Sequence, residues 1–159
     1  MKYFNRHQEP KFLSDHAARW NKQWSRLKQR NPGASFQWYT YDEKPVNHKI
    51  VPLLAQQTQD HCSYCDAYPQ RTGDDTIDHF CPKGAPAFYH LAYTWTNLYI
   101  ACNHCQRSKM GDFSDKLLRP DADDYSFERY FVYNYSTHKI TPNPAADEAD
   151  KKKALETIK

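Results

Sequence analysis

Two C-x-x-C pairs, Cys62-Ser-Tyr-Cys65 and Cys102-Asn-His-Cys105, constrain this chain more than any other feature. Four thiolates are the number a tetrahedral structural zinc requires, and the two-residue spacing lets each pair form a tight knuckle around one ion. Residues 66–101 are longer than the linker of an ordinary zinc ribbon, so a further element is inserted between the knuckles. Disulfides are the competing reading. The start of the chain, residues 1–10, is polar and charged and carries no secretory signal, which favours metal over disulfides. A redox role needs one pair only, and no thioredoxin-like βαβ pattern surrounds either. A closed four-thiolate shell leaves no position for substrate, so the expected Zn2+ is structural. Cys81, the fifth cysteine, follows Asp78-His79-Phe80 too closely to join that shell and reads as a free thiol.

The core around such a site has little aliphatic material. Only 39% of the 159 residues are hydrophobic and the mean hydropathy is −1.00, while the chain carries 12 Tyr, 8 Phe and 4 Trp. Rings with polar tips must therefore fill the interior. This abundance of aromatics argues against disorder. The length fits one globular unit, and a chain of about 150 residues buries about two-thirds of its unfolded surface. No apolar run approaches the ~20 residues that cross a bilayer, so no membrane role is expected and a cytoplasmic location follows. The net charge of +3 conceals a gradient. Residues 1–61 carry 10 basic and 5 acidic side chains, residues 62–120 carry 6 and 6, and residues 121–159 carry 6 and 8. A basic N-terminal third is compatible with an acidic partner such as nucleic acid.

Residues 1–13 read as an irregular, basic lead-in. A helix follows, with Ser14 as N-cap and Asn31-Pro32-Gly33 as its stop. Trp20, Trp24 and Leu27 recur at helical spacing and mark its buried face, while Arg19, Lys22, Arg26 and Arg30 form a separate stripe. Two readings of that stripe stand, a solvated amphipathic face or a row that tracks phosphates beside a catalytic site. Residues 34–48 have no clear period. A short helix is expected over residues 49–59, with Pro52 in its first turn. Turn residues 72–75 precede a strand over residues 76–80, a loop over 81–87, a strand over 97–101 and a helix over 103–110. Residues 130–135 and 138–141 form a hairpin, whose Tyr130, Phe131, Tyr133 and Tyr135 read as a core strand or as a docking face. A charged helix spans residues 145–159. Its apolar stripe of Ala149, Leu155 and Ile158 ends without a C-cap, and truncation or docking of its last turn onto a partner both remain open.

Asp78-His79 closes the first inserted strand, Asn97 opens the second, and Gln106 and Lys109 follow the second knuckle. A zinc joining two strand bases and a helix would bring these polar residues to one surface. A lone His is more often structural than catalytic, but Asp-His before a Pro-containing loop, bracketed by two knuckles, is a far more specific constellation.

The stretches CSYC, TIDHFCPK and YTWTNLYIACNHCQRSKM resemble the HNH endonucleases, and most closely the PtuB-like HNH nucleases of retron and Septu anti-phage systems. The resemblance covers roughly residues 62–113. It implies an α+β fold: a zinc-stapled ββα-metal core with flanking helices and a C-terminal hairpin and helix. Residues 1–61 would be a mainly helical region packed on the core of residues 62–113, and residues 114–159 an extension. It also implies that His79 is the general base, that Asp78 holds Mg2+ or Mn2+, and that Asn97 positions His79 or the adjoining loop. Lys83, Arg107 and Lys109, with Arg19, Lys22 and Arg26 of the first helix, would meet nucleic acid. At one position the chain departs from the family pattern. Directly after the second knuckle the family has Asn, whose side-chain oxygen helps bind the catalytic ion, and here Gln106 offers that oxygen on a longer stem. The partners implied are a PtuA-like ABC-type ATPase and, in retron versions, a reverse transcriptase with its DNA–RNA product. Whether the substrate is DNA or an RNA such as tRNA is not encoded in these residues. Two functions follow: a metal-dependent endonuclease acting as an anti-phage effector, or a zinc-stabilised nucleic-acid-binding or scaffold module that does not cut.

Overall fold

Leu13, Ala17, Trp20, Trp24 and Lys28 recur every three or four residues and are buried along one face of a long helix, α1 (Lys11–Arg30). This computed structural model describes residues 1–68, 75–109 and 113–158. Helix α1 begins three residues before the expected Ser14 cap, after Pro10, and stops at Asn31 as expected. Its inner face is not the expected one throughout. Lys28, not Leu27, takes the inward place after Trp24, because its Nζ can donate to the carbonyls of Pro32 and Ala34 in the turn that follows. Leu27 is left exposed. Arg19, Lys22, Arg26 and Arg30 all face solvent.

A minimal hairpin of β1 (Thr40–Tyr41) and β2 (Lys44–Pro45) leads into α2 (Asn47–Gln57). Pro52 stands inside α2 and not in its first turn, since the helix starts two residues earlier than its sequence signals indicate. Strand β3 (Asp75–His79) pairs antiparallel with β4 (Leu98–Cys102), with His79 opposite Leu98 and Asp78 opposite Tyr99. The connection between them carries 3₁₀ turns at Pro86–Leu91 and Trp95–Asn97, so Asn97 precedes the strand it was expected to open. Helix α3 (Asn103–Lys109) follows β4 directly. Of the expected turn at residues 72–75, all but Asp75 lie outside the described residues, as does Met110 at the expected end of α3.

Helix α4 (Phe127–Tyr130), β5 (Phe131–Asn134), β6 (Lys139–Pro142) and α5 (Glu148–Thr157) complete the chain. The hairpin appears where it was expected. Tyr130 and Phe131 are buried, whereas Tyr135 is exposed. Helix α5 turns Asp150 and Ala154 inward and leaves Ala149, Leu155 and Ile158 outside, contrary to the expected stripe. The cause is local. Asp147 caps the helix by accepting from the Asp150 amide, and Arg129 then draws the Asp150 carboxylate inward at 2.7 Å.

The architecture is thus α+β, with a core dominated by rings. Trp20, Trp24, Tyr89, Tyr93 and Trp95 join Leu13, Ile50, Leu54, Leu98 and Ile100 in one cluster. Their polar tips find backbone carbonyls: Trp24 Nε1 donates to Lys83 O at 2.9 Å, and Trp95 Nε1 to His7 O at 2.8 Å. The N-terminal lead-in is irregular but fixed. Arg6 lies 4.4 Å over the Tyr99 ring, donates to the carbonyls of Trp95 and Leu98, and pairs with Asp121. Among the described residues, no helix is long and apolar enough to cross a membrane.

Candidate functional site

Two junctions deliver the four cysteines. After α2, Gln59 and Asp60 adopt left-handed φ values of 55° and 64°, turning the chain so that Cys62 and Cys65 face the point where β4 gives way to α3. Each such residue costs roughly 1–2 kcal/mol. Cys102 ends β4 and Cys105 lies within the first turn of α3. The four Sγ atoms all lie within 4.8 Å of one another. Cys65 and Cys102 Sγ are 3.7 Å apart. Two thiolates on a tetrahedral zinc, each at about 2.3 Å, would stand roughly 3.8 Å apart. Backbone amides of Tyr64 and Cys102 donate to Cys62 Sγ at 3.4 and 3.3 Å, and the Cys105 amide donates to Cys102 Sγ at 3.5 Å. Hydrogen bonds from the Cys105 and Cys65 thiols shift the Cys62 thiol below its ordinary value. Donor type, number and spacing all fit zinc. Cys81 is not part of this cluster, and burial raises its thiol.

Adjacent strand residues face opposite sides of the sheet, which separates Asp78 from His79. Asp78 is buried and its Oδ2 accepts from Tyr64 OH at 2.7 Å and Lys109 Nζ at 2.8 Å. Lys109 Nζ also donates to His79 O at 2.6 Å, so one ammonium ties α3 to the end of β3. His79 is only 4% exposed. Its Nε2 lies 2.9 Å from Ala92 O, a bond that needs the proton on Nε2, and its buried Nδ1 has no partner. Burial, reinforced by the Lys83 ammonium, holds the imidazole well below its ordinary pKa, so the ring is neutral at pH 7. The Trp38 ring stacks on it at 5.5 Å and 23°, and Phe36 meets it edge-on at 5.3 Å.

Phe36, Trp38, Asn47, His79, Lys83 and Gln106 are among the residues lining a cavity of about 380 Å³. Lys83 Nζ lies 5.1 Å over Phe36, and burial lowers its pKa. Gln106 Nε2 donates to Ile77 O at 3.2 Å, which places this side chain beside His79 and not on Asp78. Asn97 serves the loop: its Oδ1 accepts from Cys81 N at 2.7 Å, and its Nδ2 donates to the carbonyls of Cys81 and Leu91 at 3.1 and 3.0 Å. The chain just after His79 is thereby clamped. Arg107 is exposed, as are Arg19, Lys22 and Arg26, and among the described residues none of these four bonds to a member of the cluster. The sequence reading missed Phe36, Trp38, Tyr64 and the Ala92 carbonyl. Only the aromatic density of residues 36–41 hinted at the first two, and it carries no period that would aim them at His79.

No protein-family model matches the chain. The Septu protein PtuB of Bacillus mycoides (strain KBAB4) is 32% identical over 84 residues, covering 46% of this chain and 27% of that protein. The chain thus spans about a quarter of the length of the curated relative it matches, and over that stretch it is related to a Septu protein.

Proposed function

We propose that the chain is an HNH-type endonuclease with its ββα-metal core in residues 62–113, acting as the effector of a Septu-type anti-phage complex. The single observation that carries the reading is the state of His79: neutral, oriented through Nε2 by Ala92 O, with the Nδ1 lone pair unengaged. An imidazole so prepared can take a proton from a water attacking a phosphodiester. Ala92 fixes the tautomer, Asn97 holds the loop behind the ring, and Lys83 and Lys109 supply positive charge for the phosphate. The similarity to Septu protein PtuB supports the defence role and, with it, a PtuA-like ATPase partner. A reverse transcriptase rests on the retron resemblance alone.

Asp78, with Gln106 or water between, offers the oxygen donors that Mg2+ or Mn2+ prefers. Such an ion, when bound, would neutralise charge on the phosphate and the leaving oxygen. Binding it requires Lys109 to release Asp78 Oδ2 and Gln106 to turn from Ile77 O. Those two bonds favour a second reading, a zinc-stabilised nucleic-acid-binding subunit that does not cut.

One comparison separates them. With the partner and nucleic acid present, wild-type protein is expected to cleave in Mg2+ or Mn2+, and His79→Ala to lose cleavage by about a hundredfold or more while keeping zinc and binding. Absence of cleavage by the wild-type protein under both ions would sink the endonuclease and leave the binding subunit.

A further inference from the structure

We propose that the Trp38 side chain is a gate over His79, covering the imidazole in this conformation and admitting a phosphodiester strand to Nδ1 only when the indole swings aside. The inference rests on the endonuclease reading of His79 and adds to it how the site is kept closed.

A base that takes a proton from water needs an exposed lone pair, and in this conformation the Nδ1 atom of His79 is covered although the residue borders a cavity. His79 is 4% exposed, with Nδ1 buried and unpartnered. Trp38 lies nearly parallel to the imidazole at 5.5 Å, and Phe36 closes an edge at 5.3 Å. Both covering rings are only half-buried, packed against the outside of the main core with part of each ring reaching solvent.

The backbone beneath the gate is fixed. Tyr93 OH donates to Gln37 O at 2.9 Å and accepts from Tyr39 N at 3.3 Å, which brackets Trp38 on either side. The hinge is therefore the Trp38 side-chain torsions, not a loop that must peel away. Ring contacts to Phe36 at 5.0 Å and Tyr93 at 5.4 Å hold the indole in its closed position. Trp38, Lys83 and Gln106 line the same cavity as His79, so a strand that displaces the indole meets an ammonium and an amide beside the base.

Diethyl pyrocarbonate acylates an accessible, unprotonated imidazole, and mass spectrometry reads each histidine separately. The 159-residue chain and its Trp38→Ala variant are labelled at pH 7, with exposed His48 as the internal standard. A covering state that is open roughly 10% of the time or less slows labelling about tenfold or more, and Trp38→Ala should abolish that protection. Unlabelled portions of both proteins are assayed for cleavage with the partner and nucleic acid present, and cleavage should rise in the variant. Trp38→Leu replaces Trp38→Ala if the latter loses zinc or its circular dichroism. Wild-type His79 that labels as fast as His48, or protection that persists in the variant, overturns the gate. Fast labelling with cleavage slower than wild type also overturns it, because Trp38 then supports the substrate. Restored labelling with no cleavage by any of the proteins removes the endonuclease reading and leaves the cover over His79 established.

Discussion

At the scale of single residues the site is near balance. Leaving His79 Nδ1 buried without a partner costs about 1–3 kcal/mol. Its two ring contacts return about 0.5–1.5 kcal/mol each. A cover so evenly weighted can open at little cost. Asp121 is the opposite case, a carboxylate fixed by everything around it. Burial alone would raise its pKa, but the Arg6 guanidinium, the Tyr99 hydroxyl and Arg119 outweigh burial and hold it below the ordinary carboxylate value. Asp121→Ala leaves Arg6 buried and unpaired, and is expected to cost about 3 kcal/mol at pH 7. The sign of the pH dependence follows from the lowered pKa. The carboxylate contributes fully above its unfolded value near 3.9, and the contribution is lost as pH falls through the folded value. Urea midpoints of wild type and variant should therefore converge between about pH 7 and pH 3. A gap as wide at the lower pH would mean that lost packing, not the ion pair, explains the change.

At the scale of elements, α3 depends on its ligands. It buries no residue and has only seven, far below the length at which an isolated helix holds. Cys102 and Cys105 at its start and the Gln106 and Lys109 bonds to β3 are its attachments. Metal analysis should return about one zinc per chain. Cys62→Ser or chelation should speed amide exchange in α3 and around Cys62 by about tenfold or more, with the α1–α2 cluster less affected. Unchanged exchange after zinc loss would show that the four thiols carry no structural burden. This element was also the most legible in sequence, because C-x-x-C spacing and the apolar-then-polar run of residues 98–109 each have one local meaning. Residues 34–48 were not legible, since Phe36 and Trp38 take their roles from Tyr93 and His79, far away in the chain. Leu27 and Leu155 misled for a related reason. Lys28 and Asp150 can be buried only because carbonyls of residues 32 and 34, and the guanidinium of Arg129, stand ready to receive them.

At the scale of the molecule, the question is whether the basic N-terminal third is an interface or merely solvated. Helix α1 touches the site from behind, through Trp24 Nε1 to Lys83 O and through Asn21, which accepts from the Tyr93 amide at 2.7 Å. Its outer stripe of Arg19, Lys22 and Arg26 is exposed on the same rigid helix that braces the loop after His79. The stripe lies on the face of α1 opposite Asn21 and Trp24, so only a strand that wraps around the helix meets both the stripe and His79. Each phosphate neutralised by a cation releases counterions, and log K falls against log salt with a slope of about −0.9 per contact on duplex and about −0.7 on single strands. Replacing Arg19, Lys22 and Arg26 together by Ala removes no buried contact, so the fold should be unchanged. The slope measured by fluorescence anisotropy should become shallower by about 2–3 if all three meet phosphates. A shift confined to one contact would place the strand at one end of α1. An unchanged slope would assign the stripe to solvent and move the electrostatic grip to Lys83 and Lys109 beside His79 and to exposed Arg107 on α3.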